Sequence, residues 1–523
     1  MPNKALFAPA RATAPATNTV NEAGGVAYAF PAEMKLAQFA ATGTFSTTYY
    51  TSAEDQLKTV LELLPMVSNE FIAKTAVFAR ERGYMKDMPA ALLAYLAKAD
   101  VKLMGRAFSR VIDSGKMLRN FVQLVRSGQF GRKSFGTAPK RLAREWFAHQ
   151  DPVAIFRQSL GDKPSMADVI KMIRPDPGKD VQRQALYGYL IGKKDNAGNL
   201  PAVIQEFEAF KKGYTTELPN VPFEMLTALE LTEANWKKLA TRMSWTQLRM
   251  NLNTLARHGV LKDAGIVSEL AAKLKDPALI QKARVFPYQL MATYTAVKDN
   301  DDIPTKLKNA LHDAMEVAVQ NVPKVEGRIV VCPDVSGSMH SAVTGERKGS
   351  TSKARYIDVA ALVAAAFLRQ NDETKVIPFD DEVHQNNLSG RDSILTNAEK
   401  LATFGGGGTA CSAPLSHMNE KGIKADLVVF ISDNMSWADF GGSQYSPGAT
   451  RMAAEWLTFK KRNPKAKLVL IDIAPYESTQ MPESQDVLNV GGFSDQVFDV
   501  VGMFAKGELS AEHWVGEIKK ISL

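Results

Sequence analysis

Cysteine is nearly absent from this chain of 523 residues: only Cys332 and Cys411 occur. Two thiols cannot build a disulfide scaffold, nor supply a Cys-rich zinc site by themselves, so a reducing compartment is the simpler setting. No run of about 18 apolar residues is free of charge, which excludes a sequence-evident membrane-spanning helix. The first 25 residues are rich in Ala, Pro, Thr and Asn and lack the apolar stretch of a secretory signal. They are expected to form a flexible tail, and the protein is expected to be cytoplasmic, with no membrane partner. Signatures of catalysis are missing too. There is no G-x-x-x-x-G-K-[ST] phosphate loop, no H-E-x-x-H and no G-x-S-x-G elbow, and the seven His are scattered. An enzyme is therefore not expected. The acidic run Asp380-Asp381-Glu382 reads as a solvated loop rather than a nuclease metal site.

What is present is length and an uneven charge. A chain of this size exceeds what one hydrophobic core serves, so two or more domains are expected. From Glu326 to the end there are 20 Lys and Arg against 25 Asp and Glu, a balance of −5. The whole chain carries 64 and 56, which leaves 44 and 31 before that point, a balance of +13. A basic part joined to a mildly acidic one is the asymmetry expected when a single domain meets a polyanion.

From about Val26 to Asn321 the pattern is helical. Leu118, Phe121, Val122 and Val125 recur at i, i+3, i+4 and i+7, the stripe of an amphipathic helix. Glu54–Leu64, Phe71–Arg82 and Asp263–Lys273 repeat the theme, and Pro89, Pro222 and Pro287 each stand where a fresh helical run begins. Many helices with short loops suggest an α-solenoid. Beyond Pro323–Gly327 the pattern changes. Short β-branched runs at Arg328–Cys332, Lys375–Phe379, Asp426–Ile431 and Lys467–Ile473 alternate with helical segments at Tyr356–Arg369 and Ala449–Lys461. Such alternation implies a parallel, doubly wound sheet whose ligands bind at the carboxyl ends of its strands.

Directly after the first of these strands comes Asp334-Val335-Ser336-Gly337-Ser338, one carboxylate and two hydroxyls leaving a strand end together. Thr409 follows the glycine run Gly405–Gly408, and Asp433 ends the run Asp426–Ser432. Hard oxygen donors with few carboxylates suit Mg²⁺, or another divalent cation such as Mn²⁺ or Ca²⁺. The set Asp334, Ser336, Ser338, Thr409 and Asp433 resembles the metal-ion-dependent adhesion site of von Willebrand factor A domains. That resemblance implies that the first four residues approach the ion, that Asp433 acts through water, and that an acidic group of a protein ligand fills the remaining position. The segment His340–Lys353 reads as an insertion at the rim of this site, and both cysteines as buried structural thiols.

The most basic stretch runs from Gly131 to Trp146. With a helix starting after a cap at Thr137, Leu142 and Trp146 face a core while Lys140, Arg141 and Arg144 share the outer side, next to Arg132 and Lys133. One helix earlier, Lys116, Arg119 and Arg126 lie opposite the apolar stripe. Cations on rigid helices contact phosphates without reading base identity.

The order of features Phe45-Ser46-Thr47-Thr48-Tyr49-Tyr50, Gly131–Trp146, Asp168-Val169-Ile170, Pro222–Leu226 and Arg284-Val285-Phe286-Pro287-Tyr288 resembles TROVE-domain proteins, the Ro autoantigen family, from roughly Gly24 to Asn300. In that family a von Willebrand domain also follows. The implied organisation is a tail over 1–25, a TROVE module over 26–325 and a von Willebrand factor A-like domain over 326–523. The implied fold class is multidomain α plus α/β: a ring-shaped, HEAT-like α-solenoid followed by a doubly wound, Rossmann-like domain. The implied function is RNA binding as a scaffold or chaperone in RNA quality control, by a monomer. Single-stranded 3′ ends of misfolded noncoding RNAs would enter a central hole, structured Y-type RNAs would bind the outer basic surface, and an exoribonuclease would be tethered through RNA. Lys140, Arg141 and Arg144 fall on the family's basic helix, and Lys171 and Arg174 on its next one. A His that contacts RNA in some relatives is Met166 here. The competing reading from the residues is a metal-dependent protein-interaction adaptor with no RNA ligand.

Overall fold

The computed structural model describes residues 14–523 except 44, 194–196, 284, 286, 320–323, 344–353, 440–447, 475, 493–494 and 510–512. Residues 1–13 of the expected tail, 344–353 of the insertion, and Arg284 and Phe286 of the motif quoted above lie outside the described residues. The chain divides into two compact units. One gathers residues up to Val60 with Val319–Glu517; the other holds Leu61–Val285, Gln289–Ala318 and the last six residues.

The second unit is made of helices, and its sequence explains where they start. Ser114, at the head of the helix Gly115–Arg126, accepts a hydrogen bond from the Met117 N–H, satisfying a donor that would otherwise be orphaned. That helix buries Leu118, Phe121, Val122 and Val125, the stripe expected from their spacing. Ser165 and Asp168 form a reciprocal capping box on Met166–Ile173, as Ser244 and Gln247 do on Trp245–Arg257. The helix Thr137–His149 departs from expectation by one residue. Gly136, at φ +79°, precedes the first turn, and Thr137 is already helical rather than the cap. Each helix packs on its near neighbours in sequence: Asn69–Glu81 lies against Asp87–Ala99 and Val101–Val111, and Asp87–Ala99 lies against Gly115–Arg126. Among the described residues no helix is long and apolar enough to cross a membrane.

The first unit contains eight strands among its described residues: β1 (Thr19–Val20), β2 (Val26–Ala29), β3 (Ile329–Pro333), β4 (Thr374–Val376), β5 (Leu427–Ser432), β6 (Lys467–Asp472), β7 (Ser478–Thr479) and β8 (Val487–Gly491). Five of them form one parallel sheet in the order β4-β3-β5-β6-β8. β3 and β5 are buried at every position, as expected for parallel strands covered on both faces. Val330, Cys332, Val428, Phe430, Leu468 and Leu470 share a core with Leu415, Met418, Met452, Trp456 and Phe459 from the helices Ala413–Glu420 and Arg451–Arg462. The helix Tyr356–Gln370 packs on β3, β4 and β5. Both cysteines are fully buried, and burial pushes both thiols up, so they are structural as expected.

Two expectations are corrected. Residues 14–25 are not a free tail. β1 pairs with β2, β2 pairs with β7, and the buried Asn21 side chain donates from Nδ2 to the Ser436 carbonyl at 2.9 Å. The cause is that the segment supplies one edge strand, β1, and a buried amide to this unit. For the same reason the packing boundary does not fall at 325: residues 26–60, expected with the helical module, group with the parallel sheet.

Candidate functional site

The strand order fixes where a ligand site forms. From β3 the chain crosses to β4 on one side, and its next strand, β5, lies on the other side of β3, so the topological switch falls between the carboxyl ends of β3 and β5. Asp334 follows β3 and Asp433 follows β5. All five residues expected in the metal set, Asp334, Ser336, Ser338, Thr409 and Asp433, are buried. Asp334 Oδ1 accepts the Ser336 N–H at 2.8 Å, its Oδ2 accepts the Ser432 hydroxyl at 2.5 Å, and the Ser336 and Ser338 hydroxyls stand 3.3 Å apart. Asp433 Oδ1 accepts the Met435 N–H at 3.2 Å.

The glycine run brings Thr409 to this cluster. The Gly406 N–H donates to the Val335 carbonyl at 2.9 Å, and the Gly337 N–H donates to the Gly407 carbonyl at 3.0 Å, lacing the run to the Asp334 turn. Gly405 has φ +74°, and a Cβ there would stand 2.1 Å from the Val335 oxygen, so no other residue fits without displacing the turn. Asp380 corrects another expectation. It is buried, its Oδ2 accepts the Gly407 N–H at 3.2 Å and its carbonyl accepts the Ala410 N–H at 2.8 Å. It anchors the glycine run from behind, while Asp381 and Glu382 are exposed as expected.

The electrostatics are those of anions held out of water. Burial, and then the charge of Asp433, pushes the Asp334 carboxyl up to about 7, against the hydrogen bonds from Ser336 and Ser432. Burial pushes Asp433 up to about 6. Among the described residues no three His, Cys, Asp or Glu side chains converge into a metal-sized group. An ion held here would therefore meet two carboxylates and several hydroxyls. That donor set is hard, and a divalent charge would relieve the desolvation that raises both carboxyls, so these residues fit Mg²⁺.

Sequence reasoning did not foresee the surroundings of this cluster. Tyr50 stands close to Ser338, and burial followed by the Asp433 charge raises its hydroxyl to about 12. Tyr356 and Tyr476 are raised by the same two causes. Asp472, at the end of β6, is buried and raised, and accepts from Asn434 Nδ2. Its position at a strand end beside β5 was the available signal; the tyrosines come from remote segments and gave none.

The cationic residues separate into two groups. Arg119, expected on a surface ridge, is only 9% exposed, and its guanidinium donates to the Gln158 carbonyl at 3.0 Å. Arg132 is half-buried, with Nη1 donating to the Ala97 carbonyl at 2.5 Å. Arg119 therefore serves packing rather than a surface ridge, which corrects the expectation for it, while Arg132 keeps part of its side chain exposed. Arg141 pairs with Glu145 at 2.7 Å. The remaining cations are at least partly exposed: Lys116, Arg126, Lys133, Arg144, Lys171 and Arg174 are exposed and Lys140 is intermediate. The helix Met166–Ile173 packs on both Gly115–Arg126 and Thr137–His149. Arg144 Nε donates to the Ile173 carbonyl at 2.7 Å, Arg174 caps that helix, and Lys171 and Arg126 both act on Asp168. Arg126, Arg144, Lys171 and Arg174 therefore gather around one short helix. Met166 is buried in its first turn.

Residues 328–505 match the family model described as the Ro60 vWA domain. Over 524 aligned residues, 94% of this chain and 95% of the relative, the chain is 25% identical to the RNA-binding protein RO60 of Deinococcus radiodurans. It is 24% identical over 276 residues to the RNA-binding protein RO60 of Caenorhabditis elegans, a match that takes in 51% of this chain and 41% of that protein. The crystal structure of the Deinococcus radiodurans RO (RSR) protein matches 92% of this chain and 100% of its own at a TM-score of 0.63 and 20% identity, a likeness of fold.

Proposed function

From a chain that carries the Ro60 type of von Willebrand domain at its C-terminal end and resembles Ro proteins over nearly its whole length, we propose that it binds RNA through its helical unit. The observation that carries this reading is the gathering of Arg126, Arg144, Lys171 and Arg174 around the helix Met166–Ile173, with Lys116, Lys133 and Lys140 on the adjoining segments. Such a surface contacts phosphates, so its ligand is chosen by strand accessibility and shape more than by base sequence. Single-stranded 3′ ends of misfolded noncoding RNAs and structured Y-type RNAs are the ligands that follow from the family likeness. An exoribonuclease held through such an RNA would make the chain a scaffold rather than an enzyme. The buried Met166 in place of the His of some relatives points to phosphate contacts rather than a His contact at that turn.

Asp334, Ser336, Ser338 and Thr409, with Asp433 behind them, would hold Mg²⁺, or Mn²⁺ or Ca²⁺. When bound, the ion would offer a coordination position to an acidic group of a protein ligand. Around it the chain itself supplies hydroxyls from Ser336 and Ser338 and two carboxylates already dehydrated by the fold.

Titrating single-stranded RNA against the protein from low to high salt tests the RNA reading. Affinity that falls steeply, with a log–log slope of about −0.7 per phosphate contacted, is expected. Absent or salt-insensitive binding would favour the adaptor reading, in which only the metal site engages a partner.

A further inference from the structure

We propose that Tyr214, with Lys211 and Lys212 beside it, is a stacking point for an unpaired RNA base; the proposal rests on the RNA-binding reading above. Tyr214 is 80% exposed, more than any other large apolar or aromatic side chain described. Single exposed apolar residues are ordinary on protein surfaces, so exposure alone would carry nothing. Three features distinguish this one.

The ring is presented by a fixed turn. At the end of the helix Ala202–Lys211, the Lys212 N–H donates to the Glu208 carbonyl at 3.1 Å, Gly213 to Phe210 at 3.0 Å, and Tyr214 to Ala209 at 2.9 Å. Gly213 takes φ +74°, which reverses the chain and points it off the helix. An aromatic side chain on such a mount has two torsions to order on binding and little backbone freedom to lose.

The charge next to it is positive. Lys211 and Lys212 are both exposed. Lys211 stands 3.8 Å from Glu208, a carboxylate that also accepts the Tyr189 hydroxyl at 2.7 Å, while Glu217 lies 3.4 Å from Lys238. An aromatic face flanked by ammonium groups is the pairing that proteins use on single strands, the ring taking a base and the lysines the adjoining phosphates.

Finally, the turn belongs to the same helical unit as the basic cluster, and neighbouring helices connect them. Ala202–Lys211 meets Val181–Leu190 through Glu208 and Tyr189, and Val181–Leu190 packs on Met166–Ile173. Base pairs within a duplex keep their faces stacked on each other, so the ligand class is unpaired RNA.

The test measures fluorescence anisotropy of a labelled oligouridine and of a blunt-ended RNA duplex, using the full chain, its variants Tyr214→Ala, Tyr214→Phe and Lys211→Ala/Lys212→Ala, and thermal melts as controls. Tyr214→Ala should weaken oligouridine roughly 5- to 100-fold while leaving the salt slope, the duplex affinity and the melting temperature unchanged. Tyr214→Phe should bind as the unaltered chain does. The double lysine variant should flatten the salt slope by up to about 1.4. Tyr214→Ala binding oligouridine like the parent, or losing both RNAs equally, would overturn the stacking proposal while leaving RNA binding in place. A parent chain that binds neither RNA would instead remove the reading beneath it.

Discussion

Asp334 and Asp433 show how a single residue's environment sets a testable property. Ordinary aspartates ionise near 4, whereas burial raises these two to about 7 and about 6. A carboxyl raised on folding favours the folded state while it is protonated, and that advantage is lost as pH rises through the folded value. The metal-free protein is therefore expected to lose stability between about pH 4 and 7. A divalent ion binds only the ionised pair, so its stabilising effect should grow over the same window. Melting temperatures with and without Mg²⁺ should differ little at pH 5 and clearly at pH 8, with Asp334→Ala abolishing the difference; an increment independent of pH would contradict the assignment. Arg119 supplies the opposite lesson. Its replacement by Ala should lower unfolding free energy by about 1–3 kcal/mol, since the Gln158 carbonyl is left without its donor. Affinity of the folded variant for RNA should not change, and a stable variant with weakened RNA binding would return Arg119 to the surface set.

At the scale of elements, the helix Met166–Ile173 holds the cationic surface together. Its capping box satisfies two N-terminal donors, and its last carbonyl receives Arg144. Ser165→Ala should cost about 1 kcal/mol, read by urea unfolding. Lys171→Glu with Arg174→Glu should weaken RNA of every sequence together and leave Mg²⁺ binding intact; unchanged affinity would remove this helix from the interface. These elements were legible to different degrees. The stripe Leu118, Phe121, Val122 and Val125 announced its helix because one buried face imposes a 3.6-residue period. β3, β5 and β6 were legible as apolar runs because both faces of a parallel strand are buried. β8 was not: Asn489 and Gly491 interrupt a short run, and the register with β6 is set by pairing that no local pattern encodes. The placement of Asp334 and Asp433 was readable because each directly follows a parallel strand, whereas Thr409 lies on a loop that the glycine run laces to the Asp334 turn. The fate of Arg119 was hidden, since a cation opposite an apolar stripe faces water only if no neighbouring segment covers it, and the Gln158 carbonyl does; Arg132, in the loop before Thr137–His149, donates to the Ala97 carbonyl of the helix Asp87–Ala99.

At the scale of the whole molecule, the chain divides its chemistry. The stretch before Glu326 carries a balance of +13 and the rest −5, and the buried anionic cluster lies in one unit while the exposed basic cluster lies in the other. A polyanion is drawn to the first kind of surface and repelled by the second. The most direct measurement is ultraviolet crosslinking of single-stranded RNA to the intact protein, followed by mass spectrometry of the crosslinked peptides. The account predicts adducts in the helical unit, within Gly115–Arg174 and at Tyr214. Adducts confined to residues 328–505, or none above a DNA-free, RNA-free control, would contradict it.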